Sequence, residues 1–439
     1  MRNPLAESLQ HRLQDGVSAA RRLGAAAAKI SLHHEERTTC GFESGRLKDT
    51  GGRESLSFGI EVLVGRRKAN TRGNRLDQLD TMIEHAVSLA KVGSAAHFDA
   101  YPPAGDVTAV KTHSARTLSL TREQLIESCQ RIVDAIKAFD SELWIQAGAE
   151  RVESESLLVT SGGVCHIGAR TRWRLGAFVQ RTEGTDMVLT GYGRSWCDLN
   201  EFFDPNAIAE RIVRDLRWGQ TITDASAGVC KAYLPPETLA MFCHVLQLGV
   251  NGRSVAKGES PLAGRLGQRV LDASATLIDE PHQDYASGAV EIDGDGVPTR
   301  RFTVFDKGVL RGFCYDLDSA ALAGAEPTGH RGCRPYNLTI AHGERPSEQL
   351  LAGIDDGIYI RHLIGFGQGN VINGDFSCNV GLGYRICDGR IVGRVKNTMV
   401  TGNVYELFGD GVQLSSDLDH EGRFPHAVVD GMSVSRAER

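Results

Sequence analysis

The sequence predicts an α+β fold in which N-terminal α/β units are followed by a strand-rich C-terminal region. Three observations carry this prediction. Apolar stripes of helical period lie at residues 5–23, 77–90 and 121–136. Leu56, Phe58, Ile60 and Val62 alternate strictly, as on a half-buried strand. Three turn signals, Gly294-Asp-Gly296, Asp306-Lys-Gly308 and Cys387-Asp-Gly389, sit between alternating apolar runs in the second half.

Taken in order, residues 5–23 form a helix, and Lys29 to His33 alternates like a strand. Residues 55–65 form a second strand, with Gly65-Arg-Arg-Lys68 as a hairpin turn into a third. Asp77 to Ala90 returns to helix, with Leu79, Met82, Ile83, Ala86 and Val87 on one face. Ala95 to Asp106, with Pro102-Pro103 and small residues, reads as a linker. Thr121 and Gln124 make a capping box for a helix whose stripe is Leu125, Ile126, Cys129, Ile132, Val133 and Ile136. Strands dominate from Leu143 to Leu189, and a helix follows from Pro205 to Trp218. Ala225 to Gly228 marks a boundary before Pro235-Pro236 opens a further helix. The expected domains are therefore 1–105 (α/β), 106–225 (α+β) and 226–439 (strand-rich).

At 439 residues, with 41% hydrophobic and 24% charged side chains, the chain can bury two or three cores and has no composition for disorder. Its formal charge of -6 disfavours sequence-independent nucleic-acid binding, which depends on neutralising phosphates with Lys and Arg. No apolar run reaches membrane-spanning length and the N-terminus lacks a signal-peptide core, so a cytoplasmic location is expected. The ten cysteines include no C-x-x-C pair and read mostly as buried reduced thiols.

The most informative stretch for chemistry is Leu239-Ala-Met-Phe-Cys-His-Val-Leu-Gln-Leu-Gly249. A zinc peptidase helix needs two imidazoles and a carboxylate beside the first. Here His244 stands alone, Val245 occupies the carboxylate position, and Leu248 and Gly249 fill the positions of a second histidine. With Met241 and Leu248 making the second face apolar, the helix is expected to be buried nearly all round and His244 to be a satisfied core or interface residue. His33-His34-Glu35-Glu36 invites a metal reading, but alternation sends His33 and Glu35 to one face and His34 and Glu36 to the other, so a polar strand end is expected. Glu280, His282 and Asp284 could share one side of an extended segment, and a metal there is disfavoured. Neither a G-x-S-x-G elbow nor a G-x-x-x-x-G-K-[ST] loop is present. Gly365-Phe-Gly-Gln-Gly369 lacks the third glycine of a dinucleotide loop, so a tight turn or close packing against a partner is favoured.

Several later motifs occur in a fixed order: Gly294-Asp-Gly-Val-Pro-Thr-Arg-Arg301, Phe305-Asp-Lys-Gly-Val-Leu-Arg-Gly312, Tyr315-Asp-Leu-Asp-Ser-Ala320 and Thr328-Gly-His330. They are followed by Gly365-Phe-Gly-Gln-Gly-Asn-Val-Ile-Asn-Gly-Asp-Phe-Ser377, Asp388-Gly-Arg-Ile391 and Thr401-Gly-Asn403. Together they resemble the TldD/PmbA family, whose active members are zinc peptidase complexes of two related chains. The resemblance implies the TldE (PmbA) type, which lacks the His-Glu-x-x-x-His helix and the later cysteine that hold zinc in the TldD-type chain. It implies no catalytic or metal-ligating residue and no cofactor in this chain, with zinc in a TldD-type partner forming a heterodimer. Peptide-binding or interface residues would be His244, Gly365, Gly367, Gly369, Asn370 and Asp375, and the substrate an extended, unfolded peptide. The alternative is a homodimeric peptide-binding or scaffold protein that has lost peptidase function.

Overall fold

The computed structural model describes residues 4–368 and 370–436. Gly369, one of the expected site residues, lies outside them. The α+β architecture expected from the sequence is present.

The first layer is a seven-stranded antiparallel sheet. In spatial order its strands are Ser94–Ala95, Arg67–Gly73, Arg46–Val64, Ala27–Glu43, Trp144–Thr160, Cys165–Glu183 and Asp186–Trp196. The sheet crosses the expected division at residue 105, because Ala27–Glu43 pairs with Trp144–Thr160 from Lys29 opposite Thr160 to Glu43 opposite Gln146. Residues 96–114 are irregular and connect strands within that one layer. Helices Pro4–Arg22 and Leu79–Ala90 bury Leu13, Val17, Ile83 and Val87 against Ile30, Ile60 and Leu157. Helix Arg122–Phe139 starts with the capping box foreseen, Thr121 accepting from the Gln124 amide and Gln124 from that of Thr121. It packs beside helix Pro205–Trp218.

The C-terminal layer is built around a closed ring of five strands. Gly228–Leu234 pairs with Pro425–Arg436, which pairs with Thr398–Asn403. That strand pairs with Asp375–Cys387, then comes Asp356–Ile364, and the ring returns to Gly228–Leu234. Closure leaves no unpaired edge within the ring. A smaller four-stranded sheet, Val309–Leu310, Phe302–Asp306, Leu277–Asp279 and Leu338–Ile340, lies beside it. Two of the three foreseen turns join paired strands, with Lys307 and Gly308, and Asp388 and Gly389, at positive φ; the third, at Gly294–Gly296, has Gly296 at positive φ but closes an isolated bridge between Ile292 and Pro298.

Two buried polar junctions and one shared core join the layers. The apolar cluster around Ile132, Val133, Ile208 and Ile212 also contains Tyr359, Tyr384 and Ile386 of the ring. Beside it, the Arg361 Nε donates to Asp215 Oδ2 (2.9 Å), the Thr190 hydroxyl donates to the same oxygen (2.9 Å), and the Tyr384 hydroxyl donates to the Asp215 carbonyl (2.7 Å).

The second junction ties the seven-stranded sheet to the turn at 293–297. Lys29 Nζ donates to Asp295 Oδ1 (2.7 Å) and to the Gly294 carbonyl (2.9 Å), and lies 3.2 Å from Glu61. Arg331 bridges Glu61 (3.0 Å) and Asp295, and the Tyr101 hydroxyl donates to Glu61 (2.5 Å). Burial alone would raise the Glu61 carboxyl, but Lys29 and Arg331 outweigh it and hold it down to about 2. Asp293 is raised to about 6 by burial and by the neighbouring Asp295, against the pull of the Val297 and Asp295 amides.

Seven of the ten free cysteines are buried, and Cys40 and Cys129 bring their sulfurs to 3.4 Å. No helix among the described residues is long and apolar enough to cross a membrane.

The Asp293 shift generates a pH prediction. A carboxyl that is harder to ionise folded than unfolded adds stability below its unfolded value near 3.8, and loses it as pH rises through about 6. Chemical denaturation of Asp293→Asn should therefore lack a component, on the order of 1–3 kcal/mol, by which the parent weakens between pH 4 and pH 7. Parallel stability curves for the two proteins over that range would contradict it.

Candidate functional site

The helix Pro236–Gly249 opens on two prolines, which suit its first turn because their missing N–H groups would be unbonded there. The Thr238 hydroxyl fastens it to the ring by donating to the Ile360 carbonyl (2.8 Å). Leu239, Phe242, Cys243, Val245 and Leu246 enter the core. Phe242 is the anchor: its ring centre lies 4.9 Å from Phe366, 5.2 Å from Phe376 and 6.4 Å from Phe408.

The expectation that this helix is buried nearly all round is corrected by the structure. Glu237 and His244 are exposed, and Ala240, Met241, Gln247 and Leu248 are half-buried. These positions fall at i, i+3, i+4, i+7, so they form one open stripe along the helix. His244 is therefore not a core histidine, nor a satisfied one: its imidazole makes no hydrogen bond or ion pair among the described residues. The packing that points Leu239, Cys243 and Leu246 inward turns His244 outward.

Val245 and Gly249 occupy the packed side. A Cβ built on Gly249 would lie 2.2 Å from the Tyr405 hydroxyl oxygen and 3.1 Å from Leu262 Cδ1. Tyr405 is held there because its hydroxyl donates to the Ile372 carbonyl (3.2 Å). A side chain larger than hydrogen at 249 has no room unless Tyr405 moves.

Tyr405 also links the helix to the glycine-rich loop. Gly365, Gly367 and Gly374 all have positive φ, near 86°, 95° and 89°, conformations that glycine adopts without strain. Asn370 is exposed and precedes the turn Val371–Asn373. Asp375 begins the next strand, and its carboxylate accepts from Asn403 Nδ2 (2.8 Å), which also donates to the Asn373 carbonyl (2.9 Å). The Asn403 side-chain oxygen Oδ1 in turn caps Val404–Leu407 by accepting from the Tyr405 and Glu406 amides. The structure thus gathers Gly365, Gly367, Asn370 and Asp375 into one loop packed through Phe366 against the helix that carries His244.

Phe366, Asn403 and Tyr405 do the positioning, and sequence reasoning gave them no role. The Thr401-Gly-Asn403 motif was the available signal, because an asparagine before an acidic short helix is a capping residue. Two other candidates separate. Glu280 bonds Arg301, the His282 ring bonds the Thr299 hydroxyl (3.0 Å), and Asp284 accepts from the Lys111 amide (3.0 Å), so these three form no ligand set. His33 to Glu36 lies in the middle of Ala27–Glu43 and not at a strand end, with the alternation foreseen.

A cleft of about 890 Å³ opens on the polar face of the seven-stranded sheet, opposite the face that carries Ile30 and Leu32. It is floored by Ser31, His33, Ser154 and Ser156 and walled by residues 110–113 and 289–294. No residue of the helix or of the glycine-rich loop lines it. His166 faces Glu291 there (3.3 Å), and burial lowers its imidazole more than that carboxylate raises it.

Solved structures share this fold nearly end to end. TldE from Thermococcus kodakarensis superposes with a TM-score of 0.86 at 19% identity, covering 96% of this chain and 99% of that one. A Bacteroides thetaiotaomicron protein does so with a TM-score of 0.87 at 23% identity, covering 97% and 98%. The chain therefore has the TldE/PmbA-like fold. Residues 227–436 match the family described as the PmbA/TldA metallopeptidase C-terminal domain. The C-terminal layer, residues 227–436, is therefore similar to that family's domain.

Similar sequences include an uncharacterised Methanocaldococcus jannaschii protein, 28% identical over 44% of this chain and 48% of that one. A Methanothermobacter thermautotrophicus metalloprotease is 29% identical over 42% of each. A Haemophilus influenzae metalloprotease, described as a TldD homolog, is 25% identical over 66% and 64%. The chain spans about half the length or less of the first two.

The packing at Gly249 is testable by a double-mutant cycle. Gly249→Ala should cost about 1–3 kcal/mol in urea denaturation, and Tyr405→Phe should recover part of that loss. Purely additive effects would show that the two residues do not press on each other.

Proposed function

We propose that this chain is the non-metal-binding, TldE-type subunit of a heterodimeric zinc metallopeptidase. In this reading it helps enclose and hold unfolded peptide for a metal-bearing, TldD-type chain. The observation that carries the reading is the packing of the helix Pro236–Gly249. Val245 is buried at 2% exposure where a base would stand, and Gly249 is closed off by Tyr405. His244 alone faces outward, and one imidazole does not make a peptidase zinc site.

The fit of the missing group to these residues is therefore poor, and no catalytic step is assigned to this helix. What it offers is a surface. Met241, His244 and Leu248 form a stripe of mixed polarity beside a loop whose glycines allow close backbone approach, and such a face suits a partner chain. The positive φ glycines and exposed Asn370 and Asp375 supply backbone and side-chain hydrogen-bonding groups for an extended segment. The 890 Å³ cleft, of ligand-pocket size, is a second place where several peptide residues could be held.

The Thermococcus neighbour is named TldE, which supports the subunit type, and the metalloprotease names of the relatives support only the metallopeptidase part of this reading. In the complex, the partner's zinc would supply the polarising charge. This chain's residues would contact peptide and shield the reaction from bulk water.

The test is reconstitution. The purified chain alone should leave unfolded peptides intact, and mixing with a chain containing His-Glu-x-x-x-His should produce cleavage. His244→Ala should leave the zinc content of that mixture unchanged. Cleavage by this chain alone, or loss of zinc on replacing His244, would overturn the assignment; a stable homodimer indifferent to such a chain would favour a scaffold.

A further inference from the structure

On the helix-covered face of the seven-stranded sheet, the register sets up an electrostatic conflict. Glu36 of the central strand stands directly opposite Glu54 on one neighbouring strand and Glu153 on the other. Directly opposed residues project to the same face, so three carboxylates form one row across three strands. Like charges so placed destabilise a sheet. Glu153 is relieved by His113, whose ring nitrogen lies 2.9 Å away. Glu36 and Glu54 form no ion pair with a lysine or arginine among the described residues. The basic side chain bonded to this pair is His34, two residues from Glu36 on the same face, whose Nε2 lies 2.9 Å from Glu54.

We propose that His34, Glu36 and Glu54 bind a divalent first-row transition ion of the zinc class. Their ligand atoms already lie within 4.8 Å of one another. Two metal–ligand bonds of about 2.0–2.2 Å require donors no more than about 4.4 Å apart, so a shift of a few tenths of an ångström suffices. The arrangement of mobilities suits this. The His34 imidazole is fixed in place at 6% exposure, while the Glu54 side chain, 72% exposed, is free to adjust. One imidazole with two carboxylates favours zinc, manganese or ferrous iron over calcium or magnesium, which take oxygen ligands. The ion would neutralise the Glu36–Glu54 row and staple two long strands, with remaining positions filled by water.

This departs from the expectation that no residue of this chain ligates a metal, although not from the absence of a peptidase metal on the helix carrying His244. His244 lies on a helix of the C-terminal layer and these three residues lie in the seven-stranded sheet, so failure of either proposal leaves the other standing. Alternation along Ala27–Glu43 had separated His34 and Glu36 from His33 and Glu35, leaving only two ligands. The third comes from the paired strand, visible only once register is known.

The experiment is calorimetric titration of zinc into the full chain after chelator treatment, near neutral pH. The parent should bind one equivalent. Glu36→Gln/Glu54→Gln should weaken that binding by on the order of 100-fold, and Glu54→Gln alone, at an exposed position, by on the order of 10-fold or more. His244→Ala and the control Glu259→Gln should bind as the parent does. Absence of zinc uptake by the parent, unaltered binding in both glutamine variants, or loss of binding in His244→Ala would each overturn the proposal.

Discussion

The Phe242 aromatic cluster is the contact on which the candidate site depends. Phe242 comes from the helix Pro236–Gly249, Phe366 from the glycine-rich loop, Phe376 from the strand after it and Phe408 from the end of a short helix. Burying these rings together fixes the rotation of the helix, and that rotation decides everything about its polar residues. It directs Val245 and Gly249 inward and His244 outward. It also sets Tyr405 against Gly249, so that the space a second histidine would need is filled by a phenol. Packing as well as residue identity thus leaves no room for a larger side chain at 249.

Elsewhere the structure spends buried charge on joining layers. Lys29, Glu61, Asp295 and Arg331 hold the long sheet to the turn at 293–297, and Asp215 with Arg361 holds a helix to the closed ring. Breaking one member of such a group typically costs about 3–5 kcal/mol, because the remaining charge stays buried. These junctions make sheet and ring one assembly, and Lys29 and Arg331 also line the cleft. Any peptide entering the cleft would therefore meet a wall set rigidly by both layers.

Local structure was legible in the sequence wherever one element's own residues decide it. The capping box at Thr121 and Gln124, the helix from Pro205 to Trp218 and the Asp-Gly and Lys-Gly turns all depend on neighbours within a few positions. What depended on pairing between distant strands was not legible. The division at 105 looked like a domain boundary because Pro102-Pro103 punctuates the chain, yet Lys29 pairs with Thr160 across it. The exposure of His244 was missed for a similar reason: Met241 and Leu248 are apolar but only half-buried, and composition does not reveal which face of a helix its neighbours leave open. The same holds at Glu54, whose relation to His34 and Glu36 is a matter of register.

In the proposed complex, the open stripe of the His244 helix and the adjacent glycine-rich loop would form the face presented to a metal-bearing partner and its peptide. Amide hydrogen exchange of this chain, alone and mixed with a chain containing His-Glu-x-x-x-His, tests that most directly. Slowed exchange concentrated at residues 236–249 and 365–375 is the predicted result. A stable complex in which protection falls wholly elsewhere, with these two segments unchanged, would contradict it.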